Sequence, residues 1–276
     1  MTAHDIPSEH ETMADADNGP LAGRHALVTG GGRGIGLAVA KTLAAQGVRL
    51  TLVARSVDQL EEARAACREA GARHVNAAPC NLTDRHQLER LCRGAAADVE
   101  ILVNNAGSAP SAPFERTDDV VWDKTFALNT FAPFMLARAV LPGMVERGFG
   151  RVINVASTAG LEGYAYTSAY CASKHALVGL TRALSAELDA RSPGADVSIN
   201  AVCPGFVDTD IVALSARRIA TATGCSEEEA RERLGAMNAG GHLLTPGDVA
   251  ARVVALAVEA PAATRGACLE WDGGHP

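Results

Sequence analysis

The chain of 276 residues lacks the charge pattern of a nucleic-acid-binding protein. It carries 25 Lys and Arg against 32 Asp and Glu, which gives a formal net charge of −7. Several of the acids lie in the first 20 residues, where there is no Lys or Arg. No basic stripe is present to neutralise a phosphate backbone, so we expect no nucleic acid as a partner.

Long hydrophobic runs are also lacking. We find no uninterrupted apolar run of the ~18 residues that a membrane span needs, so no membrane partner is expected. Residues 1–20 contain neither the basic segment nor the apolar segment of a secretory signal. We interpret residues 1–20 as a disordered acidic tail and residues 21–276 as one domain with a cytoplasmic location.

The cysteines and histidines show no metal-binding spacing. Seven cysteines are scattered without a C-x-x-C pair, and eight histidines include no H-E-x-x-H pattern. This usage is typical of buried thiols in a reducing compartment. The sequence therefore gives no support for a metal site.

From Leu21 onward, short β-branched runs alternate with longer segments of helical period. This alternation predicts an α/β fold: a single-domain, doubly wound (Rossmann-type), seven-stranded parallel sheet with helices on both faces. The predicted strands begin at His25, Arg49, His74, Ile101, Arg151, Val197 and Cys268. The predicted helices span Ile35 to Gln46, Val57 to Ala70, Arg85 to Ala95, Thr117 to Arg147, Ser168 to Ala190 and Pro246 to Glu259. The polar stretch 208–244 is predicted to be a partly helical lid.

A glycine-rich segment, GGGRGIG, follows the first predicted strand at Gly30 to Gly36. Glycines there allow a sharp turn and let a pyrophosphate approach the amides at a helix N-terminus. The G-x-G-x-x-G spacing is absent, and no G-K-[ST] follows, which excludes a P-loop. A glycine turn without a ligand stays an alternative.

The end of the second predicted strand indicates which dinucleotide would bind. An NAD-preferring fold carries an Asp or Glu there for the ribose 2′-hydroxyl. This chain has Arg55 instead, and Arg33 lies within the glycine turn. Two guanidinium groups suit a 2′-phosphate, so we predict NADP(H) rather than NAD(H) as cofactor. Two solvated surface arginines are the alternative.

Three side chains predict proton-transfer chemistry. Ser157 ends the fifth predicted strand, and the next helix places Tyr170 and Lys174 four residues apart, on one face. Carboxyl ends of parallel strands are where such sheets bind ligands. We expect the Lys174 ammonium to lower the pKa of Tyr170 from the usual ~10 toward the range of a general acid and base.

The ordered set TGGGRGIG, NNAG, Asn129, Ser157, Tyr170 with Lys174, and PGFVDT resembles the short-chain dehydrogenase/reductase family from Leu21 onward. The resemblance implies that Tyr170 protonates a carbonyl oxygen and that Ser157 polarises it. It further implies that Lys174 binds the nicotinamide ribose and tunes Tyr170, while Asn129 holds a water of the proton relay.

The resemblance also implies a set of cofactor-binding residues. These are Gly30, Gly32, Arg33, Gly34, Ile35, Gly36, Arg55, Asn81, Leu82, Asn105, Ala106, Gly107, Tyr170, Lys174, Pro204, Gly205, Val207 and Thr209. Asn81 stands where many members have an aspartate beside the adenine. His242 stands where members often have an arginine, and we expect it to lie on the surface.

The segments NVASTAG, SAYCASKHALVGLTRAL and NAVCPGFVDTD are similar to those of β-ketoacyl thioester reductases and aromatic polyketide ketoreductases. The leading hypothesis is therefore reduction of a 3-oxoacyl thioester carried by CoA or acyl carrier protein (ACP), or the reverse reaction. Arg217 and Arg218 on the lid either meet a carrier phosphate or are solvated. The alternatives are a reductase of a steroid, sugar, polyketide or other secondary alcohol, and a non-catalytic dinucleotide-binding regulator. By analogy with the family we expect a homotetramer.

Overall fold

The computed structural model describes residues 19–95, 97–259 and 264–274; residues 1–18 of the predicted tail lie outside the described residues. The described chain forms a seven-stranded sheet in the order β3-β2-β1-β4-β5-β6-β7. Every neighbouring pair is parallel. The strands are β1 (His25–Thr29), β2 (Arg49–Ala54), β3 (Val75–Pro79), β4 (Ile101–Asn104), β5 (Phe149–Val155), β6 (Asp196–Pro204) and β7 (Cys268–Trp271). The predicted Rossmann-type sheet is confirmed.

Helices connect the strands and cover both faces of the sheet. They are α1 (Gly34–Ala44), α2 (Val57–Glu69), α3 (Arg85–Ala95), α4 (Asp119–Phe126), α5 (Ala132–Arg147), α6 (Ser168–Arg191), α7 (Asp210–Thr223), α8 (Glu227–Gly235) and α9 (Pro246–Val258). The helix predicted from Thr117 to Arg147 is two α-helices joined by a π-helical segment, Ala127–Phe131. A π-helical turn widens the helix locally and is frequent at functional sites.

The lid, residues 208–244, is mostly helical. Helices α7 and α8 pack against each other around a small buried apolar cluster of Val212, Ala216, Ala230 and Leu234. The Ser226 side chain accepts from the N–H of Glu229 and the Glu229 carboxylate accepts in return, so a capping box fixes the start of α8. The lid therefore has its own small core.

Two apolar cores form because successive strand residues point to opposite sheet faces. Val28 and Val103 face one cluster, which α1, α2 and α9 cover. Leu27 and Leu102 face the other, which α3 and α5 cover. Burial on both faces explains why these strands read as continuous apolar runs rather than alternating ones.

Among the described residues, one stretch passes a length-and-hydropathy test for a membrane span. Asp119–Arg147 has 29 residues, with a mean hydropathy of 1.2 over its most apolar window. By length and composition, this stretch is an exception to our expectation that no segment is long and apolar enough to span a membrane. Inside the fold, 44 % of that window is buried, and core helices of soluble proteins pass the same test.

We expect the burial of the central strands to dominate stability. Leu102 is fully buried, whereas Leu214 on α7 is 48 % exposed. Leu102→Ala should lower the free energy of unfolding by about 2.5–5 kcal/mol through lost burial and a cavity. The matched variant Leu214→Ala should change it by no more than about 0.5 kcal/mol. Denaturant unfolding measures both, and equal losses in the two variants would contradict the assigned cores.

Candidate active site

The turn between β1 and α1 is packed so closely that it needs glycine at several positions. Gly30 and Gly34 have φ values of 67° and 53°, a region that favours glycine. A Cβ on Gly36 would overlap the carbonyl oxygen of Gly30. The N–H of Gly30 donates to the Val53 carbonyl at 2.7 Å, which holds the turn against β2.

The start of α1 suits an anion. Arg33 is the N-cap residue, its side chain makes no capping hydrogen bond, and the first turn contains no acid. Because helices leave their first N–H groups without backbone partners, these amides are available to a phosphate. The glycine turn and the uncapped helix together fit the pyrophosphate of a dinucleotide.

Thr29 fixes the turn after β4 to the end of β1. Its hydroxyl accepts from the N–H groups of Asn105 at 2.9 Å and Ala106 at 3.1 Å. The Asn105 amide donates to the Thr29 carbonyl at 2.9 Å. Asn105 therefore ties the turn after β4 to the start of the glycine turn. Gly107 lies two residues further along the turn after β4.

In the glycine turn and after β2 and β3, the residues predicted to contact the adenosine differ in their hydrogen bonds and ion pairs. Arg55 is exposed and has no hydrogen bond or ion pair to the described residues. The Asn81 side-chain oxygen accepts from the N–H and hydroxyl of Thr83. The side-chain NH₂ group of Asn81 has no partner in the described ranges. Leu82 is buried. Arg33 is ion-paired with Asp210, which the sequence did not indicate.

Ser157, Tyr170 and Lys174 come together where β5 meets α6. Ser157 follows β5, and its hydroxyl accepts from the Ala159 N–H at 3.1 Å. The same hydroxyl lies close enough to the Tyr170 phenol to act on its pKa. Lys174, one turn after Tyr170, is 4 % exposed. Its Nζ donates to the Val155 carbonyl at 2.8 Å and lies 5.8 Å from the centroid of the Tyr170 ring.

Asn129 joins this group from the π-helical segment. Its side-chain amide donates to the Ser108 carbonyl at 2.9 Å and to the Ser173 hydroxyl at 3.0 Å. Its oxygen accepts from the Ser108 N–H at 3.0 Å. A Cβ on Gly107 would lie 3.3 Å from this oxygen and 3.7 Å from Lys174 Nζ. Asn129 and Lys174 thus both lie next to the glycine of the β4 turn.

Burial controls the charge states of the pair on α6. Loss of water lowers the pKa of Lys174 to about 8. Burial also raises the pKa of Tyr170, and the Ser157 hydroxyl only partly opposes it. Our expectation that Lys174 lowers the pKa of Tyr170 is therefore wrong for this structure, because desolvation outweighs any attraction to an ammonium that bonds the Val155 carbonyl.

The loop after β6 carries the predicted residues Pro204, Gly205, Val207 and Thr209. Val207 pairs with Leu244 across the base of the lid, and Thr209 is the N-cap residue of α7. Asn238, which sequence reasoning missed, holds this loop: it accepts from the Phe206 N–H at 2.8 Å and donates to the Phe206 carbonyl at 2.9 Å. The sequence carries no signal for it, because the two residues are 32 positions apart.

The other lid residues singled out in the sequence lie on the surface. Arg217 is exposed and ion-paired with Glu227 at 3.3 Å. Arg218 and His242 are also exposed, and His242 Nδ1 hydrogen-bonds the Gly240 carbonyl at 2.7 Å. Within the described ranges, no group of three or more His, Cys, Asp or Glu side chains could hold a metal ion.

The parallel sheet, the glycine turn and the Ser, Tyr and Lys side chains are typical of an oxidoreductase that uses a dinucleotide cofactor. Residues 24–219 match the family model described as short chain dehydrogenase. The chain belongs to the short-chain dehydrogenase family, and it is an oxidoreductase of that family.

Named relatives agree with this assignment. A D-beta-hydroxybutyrate dehydrogenase of Cupriavidus necator is 37 % identical over 259 residues, which cover 92 % of this chain and 98 % of the relative. A candidate ketoacyl reductase of Streptomyces coelicolor is 35 % identical, covering 90 % and 95 %. The crystal structure of an actinorhodin polyketide ketoreductase variant with NADPH has a TM-score of 0.84 at 34 % identity, covering 91 % and 97 %.

The buried lysine makes stability depend on pH. The pKa of Lys174 is about 8 in the folded protein and 10.5 in a free lysine. Between pH 8 and pH 10.5 the amine is therefore protonated in the unfolded chain but not in the folded protein. The free energy of unfolding consequently rises with pH over this range. Lys174→Met removes the buried charge. Its melting temperature should exceed that of the parent protein at neutral pH, and the excess should shrink near pH 10.

Differential scanning calorimetry at both pH values measures this excess. Lys124→Met, which removes an exposed ammonium on α4, is the control and should show no such change. An excess for Lys174→Met that is the same at both pH values would contradict burial of the charge.

Proposed function

We propose that the protein reduces the ketone of a 3-oxoacyl thioester with NADP(H), or carries out the reverse oxidation. The observation that carries the proposal is that Lys174 and Asn129 lie beside Gly107 in the turn after β4, while Tyr170 lies one helical turn before Lys174 and next to Ser157. A bound nicotinamide supplies or accepts the hydride. The protein side chains supply the proton and hold the reacting groups in place.

Tyr170 is the proposed acid. A raised pKa keeps its phenol protonated at neutral pH, which is the state that gives a proton to a ketone oxygen. Ser157, whose hydroxyl lies close to the phenol, would polarise the same oxygen. Lys174, with a pKa of about 8, would bind the nicotinamide ribose through its ammonium. Asn129 would hold the relay water on the Lys174 side of Tyr170.

The proposed cofactor residues divide by location. The glycine turn, from Gly30 through Gly36 with Gly32 and Ile35, would hold the pyrophosphate. Arg33 and Arg55 would bind the 2′-phosphate, since guanidinium groups pair with phosphate through two donors. The adenine would meet Asn81 and Leu82. Asn105, Ala106 and Gly107 would lie beneath the cofactor, and Pro204, Gly205, Val207 and Thr209 beside the nicotinamide.

The preference for a thioester is supported by the names of relatives and by the rim of the cleft. The relatives include a candidate ketoacyl reductase and a polyketide ketoreductase whose structure contains NADPH. Phe114 and Tyr166, in the loops after β4 and β5, are 81 % and 66 % exposed and would line a path for an acyl chain. Arg218 on the lid would meet a phosphate of CoA or of the ACP arm.

We also propose a homotetramer in the cytoplasm, built as a single domain over residues 21–276 with a lid over 208–244. Apolar side chains on the surface of α4 support assembly: Val120 is 57 % and Trp122 41 % exposed. Light scattering on the purified protein gives the oligomeric state, and a monomer at micromolar concentration would contradict this assembly.

The activity is tested with acetoacetyl-CoA and NADPH, followed by the loss of NADPH absorbance. We expect turnover, and we expect Tyr170→Phe to lower the rate by about 10²- to 10⁴-fold while NADPH binding stays intact. Tyr164→Phe, which removes a hydroxyl bonded to Glu162 and Thr158 instead, should keep most of the activity. Turnover of sugars or steroids but of no thioester would contradict the proposed substrate class.

Arg55 should determine which dinucleotide binds. Arg55→Ala removes a charged hydrogen bond to the 2′-phosphate, so the dissociation constant of NADPH should rise about 10- to 100-fold while that of NADH stays the same. Arg68→Ala, which removes an exposed arginine from the end of α2, is the control. Fluorescence titration measures both constants, and equal weakening of NADPH and NADH would contradict the assigned role.

A further inference from the structure

An ion pair connects the glycine turn to the start of the lid. Arg33 Nη1 lies 2.5 Å from Asp210 Oδ2, across 177 residues of sequence. Arg33 is the N-cap residue of α1, and Asp210 is the first residue of α7. The side chains are 59 % and 69 % exposed. Because the ion pair is surrounded by water, it contributes little stability, and Arg33 can readily take another anion as its partner.

A second contact lies at the same place. A Cβ on Gly34 would sit 3.4 Å from Thr209 Cγ2, so the N-terminal end of α7 lies close above the glycine turn. Thr209 precedes Asp210, and both belong to the first turn of the lid helix. The ion pair and this close approach place the start of α7 beside the backbone that a pyrophosphate would approach.

The two arginines proposed to bind the 2′-phosphate therefore start from different states. Arg55 has no ion pair to the described residues and can accept a phosphate directly. Arg33 must first leave a carboxylate, or share its guanidinium between two anions. Phosphate and carboxylate compete for the same paired N–H donors of arginine.

We propose that Asp210 is a specificity-determining residue that competes with the 2′-phosphate for Arg33, so that a 2′-phosphate frees the first turn of α7 from the glycine turn. The proposal rests on the proposed function, since it takes Arg33 as a ligand of the 2′-phosphate. Asp210 would then weaken the binding of NADP(H) and leave the binding of NAD(H) unchanged.

The test compares 2′,5′-ADP with 5′-AMP, which differ by the 2′-phosphate and carry no nicotinamide. Isothermal titration calorimetry gives both dissociation constants without turnover. Asp210→Asn should tighten binding of 2′,5′-ADP by about two- to fivefold, the range of an exposed ion pair, and leave 5′-AMP unchanged. Asp208→Asn is the matched control, because Asp208 is paired with Arg231 at 2.8 Å, and it should change neither constant.

A double-mutant cycle separates competition from a general charge effect. In the Arg33→Ala background, Asp210→Asn should no longer tighten 2′,5′-ADP binding, because the residue competed for is gone. Equal tightening with and without Arg33, or an equal effect of Asp208→Asn, would overturn the proposal. If the parent protein binds neither nucleotide, the proposed function fails as well; if it prefers 2′,5′-ADP but Asp210→Asn changes nothing, only the competition fails.

Release of α7 has its own readout. Addition of 2′,5′-ADP should speed amide hydrogen exchange at Ala213 and Leu214, the first amides of α7 with a helical hydrogen bond, whereas 5′-AMP should not. In Asp210→Asn these amides should exchange at the faster rate before any nucleotide is added. Slower exchange of this turn with 2′,5′-ADP would overturn the release step.

Discussion

The close approach of α6 to the ends of β4 and β5 is the constraint on which the candidate site depends. Lys174 donates to the Val155 carbonyl at 2.8 Å, and glycines stand where the neighbouring turns come close to it. A Cβ on Gly160 would lie 2.9 Å from the Lys174 carbonyl oxygen, and one on Gly107 would lie 3.7 Å from its Nζ. With these glycines in place, α6 brings Tyr170 to Ser157 and Lys174 to the β4 turn.

Burial then sets the chemistry of the two groups on α6. It moves the pKa of Lys174 down to about 8 and that of Tyr170 up, the directions expected when charged forms lose water. A protonated phenol suits carbonyl reduction, in which the acid gives up its proton. Alcohol oxidation needs the phenolate, so the two directions of the proposed reaction use opposite protonation states of Tyr170.

Local patterns predicted most of the fold and the site. Because the buried parallel strands are apolar runs, β1, β2 and β4 were predicted to begin at the residues that the structure shows, and so was the half-buried edge strand β7. The glycine turn and the four-residue spacing of Tyr170 and Lys174 are equally local. The Asn238 contacts and the Arg33–Asp210 pair were not predictable, because they join distant segments that only the folded sheet brings together. The pKa direction of Tyr170 depends on burial, which spacing does not reveal.

The most direct test of the central claim is a crystal structure of the protein with NADP⁺ and an unreactive ketone analogue. The account predicts that the analogue oxygen lies at hydrogen-bond distance, about 3 Å, from both Tyr170 Oη and Ser157 Oγ. It also predicts that Lys174 Nζ contacts the nicotinamide ribose and that the pyrophosphate lies on the glycine turn. A dinucleotide bound outside this cleft, or an analogue oxygen that contacts neither hydroxyl, would contradict it.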